Sequence, residues 1–280
     1  MNIQWYPGHM TRAKRQLKDQ LKIIDVVIEV LDARLPFSSQ NSDFDSLFEG
    51  KKRFYILNKT DLADDRVTDR WMNWFEKKGI PAMKYSAHTG NSSLLLSRLT
   101  EFSSGIVERY REKGVNKTVR ALVVGIPNVG KSAILNRLSG SKKAKEENRP
   151  GVTRGLQWVR VTEHFEILDS PGLLMPKISD EESAAKIAFI GSIKQEILNT
   201  EELAFYLIKF LSASNPGLLE ERYDLKLDDQ NEPLDIMDAI CRRRGFLLKG
   251  GELDYDRCAR TVLDEFRKGK MGRITLELPE

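Results

Sequence analysis

The chain has 280 residues, enough for one large or two ordinary domains, each with its own core. Its longest apolar run, residues 23–31, is interrupted by Asp25 and Glu29 and is far shorter than the roughly 20 residues of a membrane span, so no membrane partner is expected. The N-terminal sequence MNIQWYPGHM lacks the apolar stretch of a secretory signal, which predicts a cytoplasmic protein. The two cysteines, Cys241 and Cys258, are far apart without a CxxC spacing, which argues against a disulfide or a zinc site.

The net charge of +4 is distributed unevenly along the chain. Residues 1–177 hold 30 basic and 20 acidic side chains, whereas residues 178–280 hold 15 and 21. Two stretches are locally basic: residues 1–22, with five basic side chains and one acidic, and residues 240–273, with ten and five. Separated basic patches of this kind favour a polyanionic partner such as nucleic acid, although solvated helix faces are the alternative interpretation.

Strand-like and helix-like segments alternate through the first 170 residues. Apolar positions recur at helical spacing over residues 10–24, and polar segments with helical character follow at 65–78 and 91–112. Short runs rich in apolar, aromatic or β-branched residues predict strands at residues 25–32, 53–58, 82–87 and 119–125, and residues 155–169 predict a hairpin of two strands. This alternation predicts an α/β fold with a mostly parallel sheet covered by helices on both faces.

The character of the sequence changes after Pro176. Four helices are predicted at residues 181–198, 201–214, 233–245 and 254–269, and only residues 273–278 are strand-like. We therefore predict two domains, an α/β domain at residues 1–177 and a smaller α-helical domain at residues 178–280.

A phosphate-binding loop is predicted at residues 125–132, GIPNVGKS, which match G-x-x-x-x-G-K-[ST] without a mismatch. In such a loop the glycines let backbone N–H groups converge on phosphate oxygens, at the N-terminus of the following helix. Lys131 would neutralise the β- and γ-phosphates, and the Ser132 hydroxyl would bind Mg²⁺. The expected nucleotide contacts of this loop are Asn128, Val129, Gly130, Lys131, Ser132 and Ala133. Ala133 replaces the usual Thr or Ser and offers only its backbone N–H.

A guanine-reading motif, Asn58-Lys59-Thr60-Asp61, closes the predicted strand 53–58. The Asp61 carboxylate can accept hydrogen bonds from both N1–H and the exocyclic amine of guanine, whereas adenine would leave it desolvated and unpaired. Asn58 is expected to tie this motif to the phosphate loop, and the stem of Lys59 to lie over the base. Ser86 and Ala87, at the end of another strand, are expected to support the base through backbone N–H groups.

The remaining GTPase elements follow the phosphate loop. Thr153, in RPGVT, is placed to bind Mg²⁺ and close over the γ-phosphate. Asp169 and Gly172 fit D-x-x-G, in which the aspartate holds Mg²⁺ through water and the glycine N–H senses the γ-phosphate. The motif order is base-reading, base-support, phosphate loop, switch I and switch II. Because a sheet that binds its ligand at the strand C-termini can be opened at different loops, this order predicts a circularly permuted P-loop GTPase domain.

The motifs together resemble the ribosome biogenesis GTPase A family of bacterial circularly permuted GTPases. The resemblance extends over essentially the whole chain and is carried by WYPGHM, DAR.P.SSQN at residues 32–41, NKTD, GIPNVGKS, RPGVT, LDSPGLL and GFLLKGGELDYDRCA. It implies GTP/GDP and Mg²⁺ as cofactors, GTP hydrolysis, and a role in late maturation of the large ribosomal subunit. The implied partners are the large-subunit precursor and its rRNA, with the helical domain binding RNA. We also expect the protein to be a monomer.

The catalytic water has no evident partner in switch II. Small GTPases commonly place Gln after D-x-x-G, but Leu173 stands there and cannot orient water. The family resemblance implies that His9 positions the water on the ribosome, while an RNA-contacting or merely exposed histidine is the alternative. Asn128 matches the position that coordinates K⁺ in potassium-stimulated GTPases.

Two other functions compete with the GTPase interpretation. An ATP-using P-loop enzyme such as a kinase is disfavoured by Asp61 and by the lack of an evident acceptor site. A GTP-dependent RNA-binding module with negligible turnover is suggested by Leu173.

Overall fold

A six-stranded sheet forms the centre of the first of two compact units. The computed structural model describes residues 15, 17–140, 156–172, 180–193, 198–228 and 230–280. The described residues up to Gly172 form one unit together with Ile274–Glu280, and those from Asp180 to Arg273 form the other. No helix among these residues is both long enough and apolar enough to cross a membrane.

The sheet has the order β3-β2-β1-β4-β6-β5. Its strands are β1 (Val26–Asp32), β2 (Lys52–Asn58), β3 (Ala82–Lys84), β4 (Val119–Val124), β5 (Gln157–Thr162) and β6 (Phe165–Asp169). All neighbouring pairs are parallel except β5 and β6, which form the predicted antiparallel hairpin. All seven residues of β1 are buried, as expected for a central strand covered on both faces. The prediction of a mostly parallel α/β sheet is confirmed.

Four helices accompany this sheet: α1 (Asp43–Leu47), α2 (Asp65–Lys77), α3 (Ser92–Arg111) and α4 (Lys131–Ser139). Side-chain caps fix where two of them begin, because Asp64 accepts from the N–H of Val67 and Asn91 accepts from the first turn of α3. On its buried face, α2 places Trp71 and Phe75 in a cluster with Leu57 and other residues of the sheet. Upstream of β1, residues 17–20 are helical and Leu21–Ile23 form a 3₁₀ turn.

The second unit is helical in its described part, as predicted. Its helices are α5 (Glu181–Phe189), α6 (Thr200–Ser214), α7 (Pro216–Tyr223), α8 (Pro233–Arg244) and α9 (Tyr255–Arg267). The helix predicted over 181–198 ends at Phe189, because Gly191 takes a left-handed φ of 79° and its N–H bonds to Ala188. The helix α7 was missed by the sequence analysis. It begins with Pro216, whose fixed φ suits the first helical position.

The last seven residues, Ile274–Glu280, pack on the sheet unit, and we call them the C-terminal strap. The strap does not form a regular strand, although residues 273–278 are strand-like in sequence. Its backbone bonds to loops instead: the N–H of Ile274 donates to Leu62 (3.1 Å) and the N–H of Leu276 to Arg34 (2.7 Å). The predicted division at residue 177 places these seven residues with the helices, whereas the structure places them with the α/β unit.

Candidate nucleotide-binding site

The predicted motifs meet at one edge of the sheet. Strands β1, β2, β3, β4 and β6 run parallel, so their carboxyl ends lie on the same side. This edge is where ligands bind in open α/β sheets. The base-reading motif follows β2, the phosphate loop follows β4, and Asp169 ends β6. β1 lies between β2 and β4, so its terminal residue, Asp32, lies between the two nucleotide motifs.

Tight backbone packing shapes the phosphate loop. Gly125 has a φ of 148°, and a Cβ there would lie 2.4 Å from the carbonyl oxygen of Val30. Gly130 has a φ of 98°, and a Cβ there would lie 2.2 Å from Nδ2 of Asn58. The loop leads directly into α4, as predicted, with Ser132 and Ala133 half-buried in its first turn. Asn128 also has a left-handed backbone, with a φ of 62°.

A cation and a carboxylate lie at the floor of the loop. The buried Lys131 donates to the carbonyl oxygens of Gly125 (3.1 Å) and Ile126 (2.9 Å). Burial lowers the pKa of Lys131 to about 8, opposed by the charge of Asp169. Burial likewise raises the pKa of Asp169 to about 6, opposed by Lys131 and by hydrogen bonds from Ser170 and Ser132. Burial thus penalises the charge of both groups, and each charge partly compensates the other.

The residues around Asp169 fit a magnesium ion. One of its carboxylate oxygens, Oδ1, is buried and has no hydrogen-bond partner within the described residues. The neighbouring Ser132 hydroxyl is the other predicted ligand in this part of the chain, and carboxylate and hydroxyl oxygens are the donors that Mg²⁺ prefers. The third predicted ligand, Thr153, lies outside the described residues. Gly172 packs directly on the phosphate loop, since a Cβ there would lie 2.6 Å from Cα of Pro127.

Asn58 joins three parts of the site. Its side chain is 1% exposed. Its Nδ2 donates to the carbonyl oxygen of Val129 in the phosphate loop (2.8 Å), and its Oδ1 accepts from the N–H of Ala87 (2.9 Å). The tie between base-reading motif and phosphate loop that the sequence predicts is therefore present, and the same amide also holds the base-support loop.

The base-support loop is organised by Ser86. Its buried hydroxyl accepts from the backbone N–H groups of His88 (3.2 Å) and Thr89 (3.1 Å). The N–H of Thr60 donates to the carbonyl oxygen of Tyr85 (3.3 Å), which joins this loop to the NKTD motif. Asp61 is half-buried at the end of that motif.

No role was predicted from the sequence for two residues of the site, Asp32 and Arg34. Asp32 accepts from Nε of Arg34 (2.9 Å) and pairs with Nζ of Lys59 (3.0 Å). Both Asp32 and Arg34 are almost fully buried. They belong to the DAR motif at residues 32–34, which carries the family resemblance but reveals no role in the sequence alone.

The histidines give no catalytic centre within the described part of the chain. His88 and His164 are both exposed, in the base-support loop and in the turn between β5 and β6. His9, the predicted water-positioning residue, lies outside the described residues, as does Leu173.

These observations define the class of the protein. A parallel sheet carries a G-x-x-x-x-G-K-S loop, a D-x-x-G aspartate and a base-reading NKTD motif at one edge, and Asn58 connects two of them. The base-reading motif precedes the phosphate loop in the chain. The architecture is that of a circularly permuted P-loop GTPase domain followed by a helical unit.

Comparisons with known proteins agree with this class. The family model described as "50S ribosome-binding GTPase" matches residues 120–237. Ribosome biogenesis GTPase A of Priestia megaterium is 44% identical over 282 residues, covering 100% of this chain and 98% of the relative. The protein of that name from Thermotoga maritima is 32% identical, with coverages of 99% and 95%.

Solved structures agree as well. The GNP-bound structure of YlqF from T. maritima superposes with a TM-score of 0.69 at 30% identity, covering 96% of this chain and 99% of that one. A GDP-bound structure titled TM YlqF gives a TM-score of 0.72 at 29% identity, with coverages of 95% and 99%. The chain belongs to the ribosome biogenesis GTPase A family. It is a GTPase that binds guanine nucleotide and serves in ribosome assembly.

Proposed function

We propose that this GTPase acts in late maturation of the large (50S) ribosomal subunit, where it binds the subunit precursor and contacts rRNA. GTP hydrolysis then switches or releases it. The observation that carries the GTP-dependent part of the proposal is the junction at Asn58, which holds the phosphate loop and the guanine-reading motif in one site. The description of the matching family model, "50S ribosome-binding GTPase", supports the choice of subunit. We further propose that the protein is cytoplasmic and acts as a monomer.

The helical unit is the proposed RNA-binding part. The last turn of α8 carries three consecutive exposed arginines, Arg242, Arg243 and Arg244. The loop that follows exposes Lys249 beside Leu247 and Leu248, and the Arg257 guanidinium lies 4.8 Å from the ring centroid of Phe246. Guanidinium groups bind phosphate in a bidentate manner, which suits this surface to an RNA backbone.

A salt titration of subunit binding tests the RNA contact. Arg242→Gln with Arg243→Gln is expected to weaken binding to large subunits and to reduce the slope of log affinity against log salt by about one unit per lost phosphate contact. An unchanged slope would assign subunit binding to another surface. A circular-dichroism melt serves as the control for folding, and GDP affinity should be unchanged because neither arginine lies in the nucleotide site.

Asp61, Lys59 and Thr60, with Ser86 and Ala87, are the proposed base-binding residues. Asp61→Asn is expected to reduce GTP affinity and to create binding of xanthosine nucleotides, because an amide can donate to the 2-oxo group that replaces the guanine amine. Asp69→Asn is the matched control, as Asp69 is exposed and pairs with Lys84 on α2 and β3. Unchanged GTP binding in Asp61→Asn would overturn the guanine assignment.

Mg²⁺ is the proposed metal, held by Ser132, by Thr153, and by Asp169 through water. When bound, it would neutralise developing charge on the phosphates. Lys131 and the backbone N–H groups of residues 128–133 would bind the phosphates, and the Gly172 N–H would sense the γ-phosphate. We propose in addition that Asn128 binds K⁺, because it matches the position that coordinates K⁺ in potassium-stimulated GTPases.

Hydrolysis is proposed to depend on His9 and on the ribosomal subunit. The proposal rests on the family resemblance and on Leu173, which cannot orient water. His9→Ala is expected to lower subunit-stimulated turnover about 100-fold or more while nucleotide affinity stays unchanged, the size typical of a lost general base. His164→Ala, on an exposed turn, is the control.

The decisive measurement is GTP turnover titrated with large subunits in K⁺ and in Na⁺ buffers. Stimulation by subunits, stronger in K⁺, is the expected result. An absence of stimulation would favour the alternative, a GTP-dependent RNA-binding module with negligible turnover.

A further inference from the structure

A buried carboxylate, Asp32, lies between the two nucleotide motifs without belonging to either. It is the last residue of β1 and pairs in register with Asn58 at the end of β2. On the other side of β1 lies β4, which leads into the phosphate loop. Asp32 is fully buried, so its position costs a large desolvation free energy that its partners must compensate.

Two cations share this carboxylate. Arg34 binds it in a bidentate manner, with Nε to Oδ1 at 2.9 Å and an Nη to Oδ2 at 2.8 Å. Lys59 places its ammonium 3.0 Å from the same Oδ2. Burial alone would raise the pKa of Asp32, but the charges of Arg34 and Lys59 hold it well below its ordinary value. The two cations therefore favour the ionised form of the carboxylate.

Asp32, Arg34 and Lys59 form a charged cluster, and this cluster determines the position of the Lys59 side chain. Its backbone has a left-handed φ of 63°, and its side chain is still 23% exposed although its ammonium is bound to Asp32. The charged end of Lys59 is thus fixed, while part of its side chain stays accessible. A buried ion pair is weak evidence for added stability, because desolvation offsets most of its attraction, whereas buried polar groups specify one geometry in some proteins.

The far side of the cluster is fixed by the C-terminal strap. The carbonyl oxygen of Arg34 accepts from the N–H of Leu276 (2.7 Å). The Glu277 carboxylate accepts from the N–H groups of Phe37 (2.9 Å) and Ser38 (3.1 Å), in the loop that follows Arg34. The backbone that carries the guanidinium is therefore held from outside the motif.

We propose that Asp32, with Arg34, is a positioning residue of the nucleotide site. It fixes the ammonium of Lys59 so that the stem of Lys59 forms a preset surface for the guanine ring. The proposal rests on the proposed role of the NKTD motif in binding the base. It assigns to the DAR motif the task of ordering that surface before the nucleotide arrives, which lowers the ordering cost of binding.

A double-mutant cycle on GDP affinity tests the assignment. Asp32→Asn is expected to weaken binding of a fluorescent GDP analogue to the full-length protein by about tenfold, equivalent to about 1.4 kcal/mol. Lys59→Met, which keeps the stem and removes the ammonium, is expected to weaken it by a similar factor. If Asp32 acts through Lys59, adding Asp32→Asn to Lys59→Met changes the affinity by less than about twofold. If the double variant loses GDP affinity by the product of the two single-variant factors, the two residues act independently and the proposal is wrong.

Glu29→Gln is the matched control for a purely structural effect. Glu29 lies three residues earlier on β1, is equally buried, and pairs with an arginine, Arg53. Its replacement is expected to lower stability while leaving GDP affinity within about twofold, because it contacts neither nucleotide motif. If Glu29→Gln weakens GDP binding as much as Asp32→Asn does, the effect is general destabilisation and the proposal is wrong.

A conservative variant keeps the test decisive if Asp32→Asn does not fold. Asp32→Glu retains the charge and displaces it by one methylene. It is expected to lower GDP affinity less than Asp32→Asn does, and to have no effect on GDP affinity in the Lys59→Met variant. Losses that remain additive there overturn the positioning role. The Asp61→Asn experiment distinguishes a failure of this proposal from a failure of the proposed function. If Asp61→Asn alters GTP binding as expected but the losses from Asp32 and Lys59 substitutions are additive, only the role of Asp32 is rejected.

Discussion

The C-terminal strap should contribute measurably to the stability of the α/β unit, and Leu276→Ala tests this. The Leu276 side chain is 5% exposed, and truncating a buried leucine to alanine costs about 2–5 kcal/mol. Because the strap lies at the end of the chain and can partly collapse onto the smaller side chain, we expect the lower part of this range, about 2–3 kcal/mol. Its hydrogen bond to Arg34 uses the backbone and is retained in the variant.

Leu278→Ala is the matched control. The same substitution is made two residues further along the same strap, but Leu278 is 60% exposed. Exposed substitutions of this kind usually change the free energy of unfolding by less than about 0.5 kcal/mol. The comparison therefore isolates burial from any effect of leucine content or of local backbone propensity.

Urea unfolding followed by tryptophan fluorescence measures the difference. All four tryptophans precede residue 178 in the sequence, so the signal reports on the α/β unit. Trp71 is buried and donates its indole N–H to the carbonyl oxygen of Glu277 (3.0 Å), so it also senses the strap. With an m-value of about 2 kcal/mol per molar urea, Leu276→Ala should lower the midpoint by about 1–1.5 M. Equal shifts in the two variants would refute the reasoning.

Two further predictions concern the nucleotide site and the helical unit. Gly130→Ala places a Cβ 2.2 Å from Nδ2 of Asn58, at a position with a left-handed backbone. GDP affinity measured by fluorescence titration should therefore fall about 10-fold or more. An unchanged affinity would show that the loop can relax. The hydrogen bonds of Arg222 to Glu265 lower the pKa of Glu265 below its ordinary value of 4.5, so its stabilising contribution is present above about pH 4.5 and is lost as the pH falls below it. Glu265→Gln should remove this part of the acid sensitivity in circular-dichroism melts, and profiles that run parallel to the unmodified protein would contradict it.

The nucleotide motifs and their order could be predicted because each is a short, contiguous stretch with its own chemistry. GIPNVGKS and NKTD need only a preceding strand to place them, and β4 and β2 can be predicted from local runs of apolar, aromatic and β-branched residues. The parallel sheet follows from the alternation of strands and helices, so the common edge on which the motifs meet is also predictable. The end of α5 at Phe189 could not be predicted, because apolar residues continue at helical spacing in the sequence beyond Gly191, which has a left-handed backbone.

The sequence by itself therefore determined the class of fold, the permuted order of the GTPase motifs and the guanine-reading chemistry. Only the tertiary structure decided that Asp32 binds both Arg34 and Lys59, because the register of β1 and β2 brings Asp32 and Lys59, which are 27 positions apart, into contact. It likewise decided that Ile274–Glu280 leaves the helical region and packs on loops near the beginning of the chain. Both arrangements depend on contacts between segments distant in sequence, which composition and periodicity do not encode.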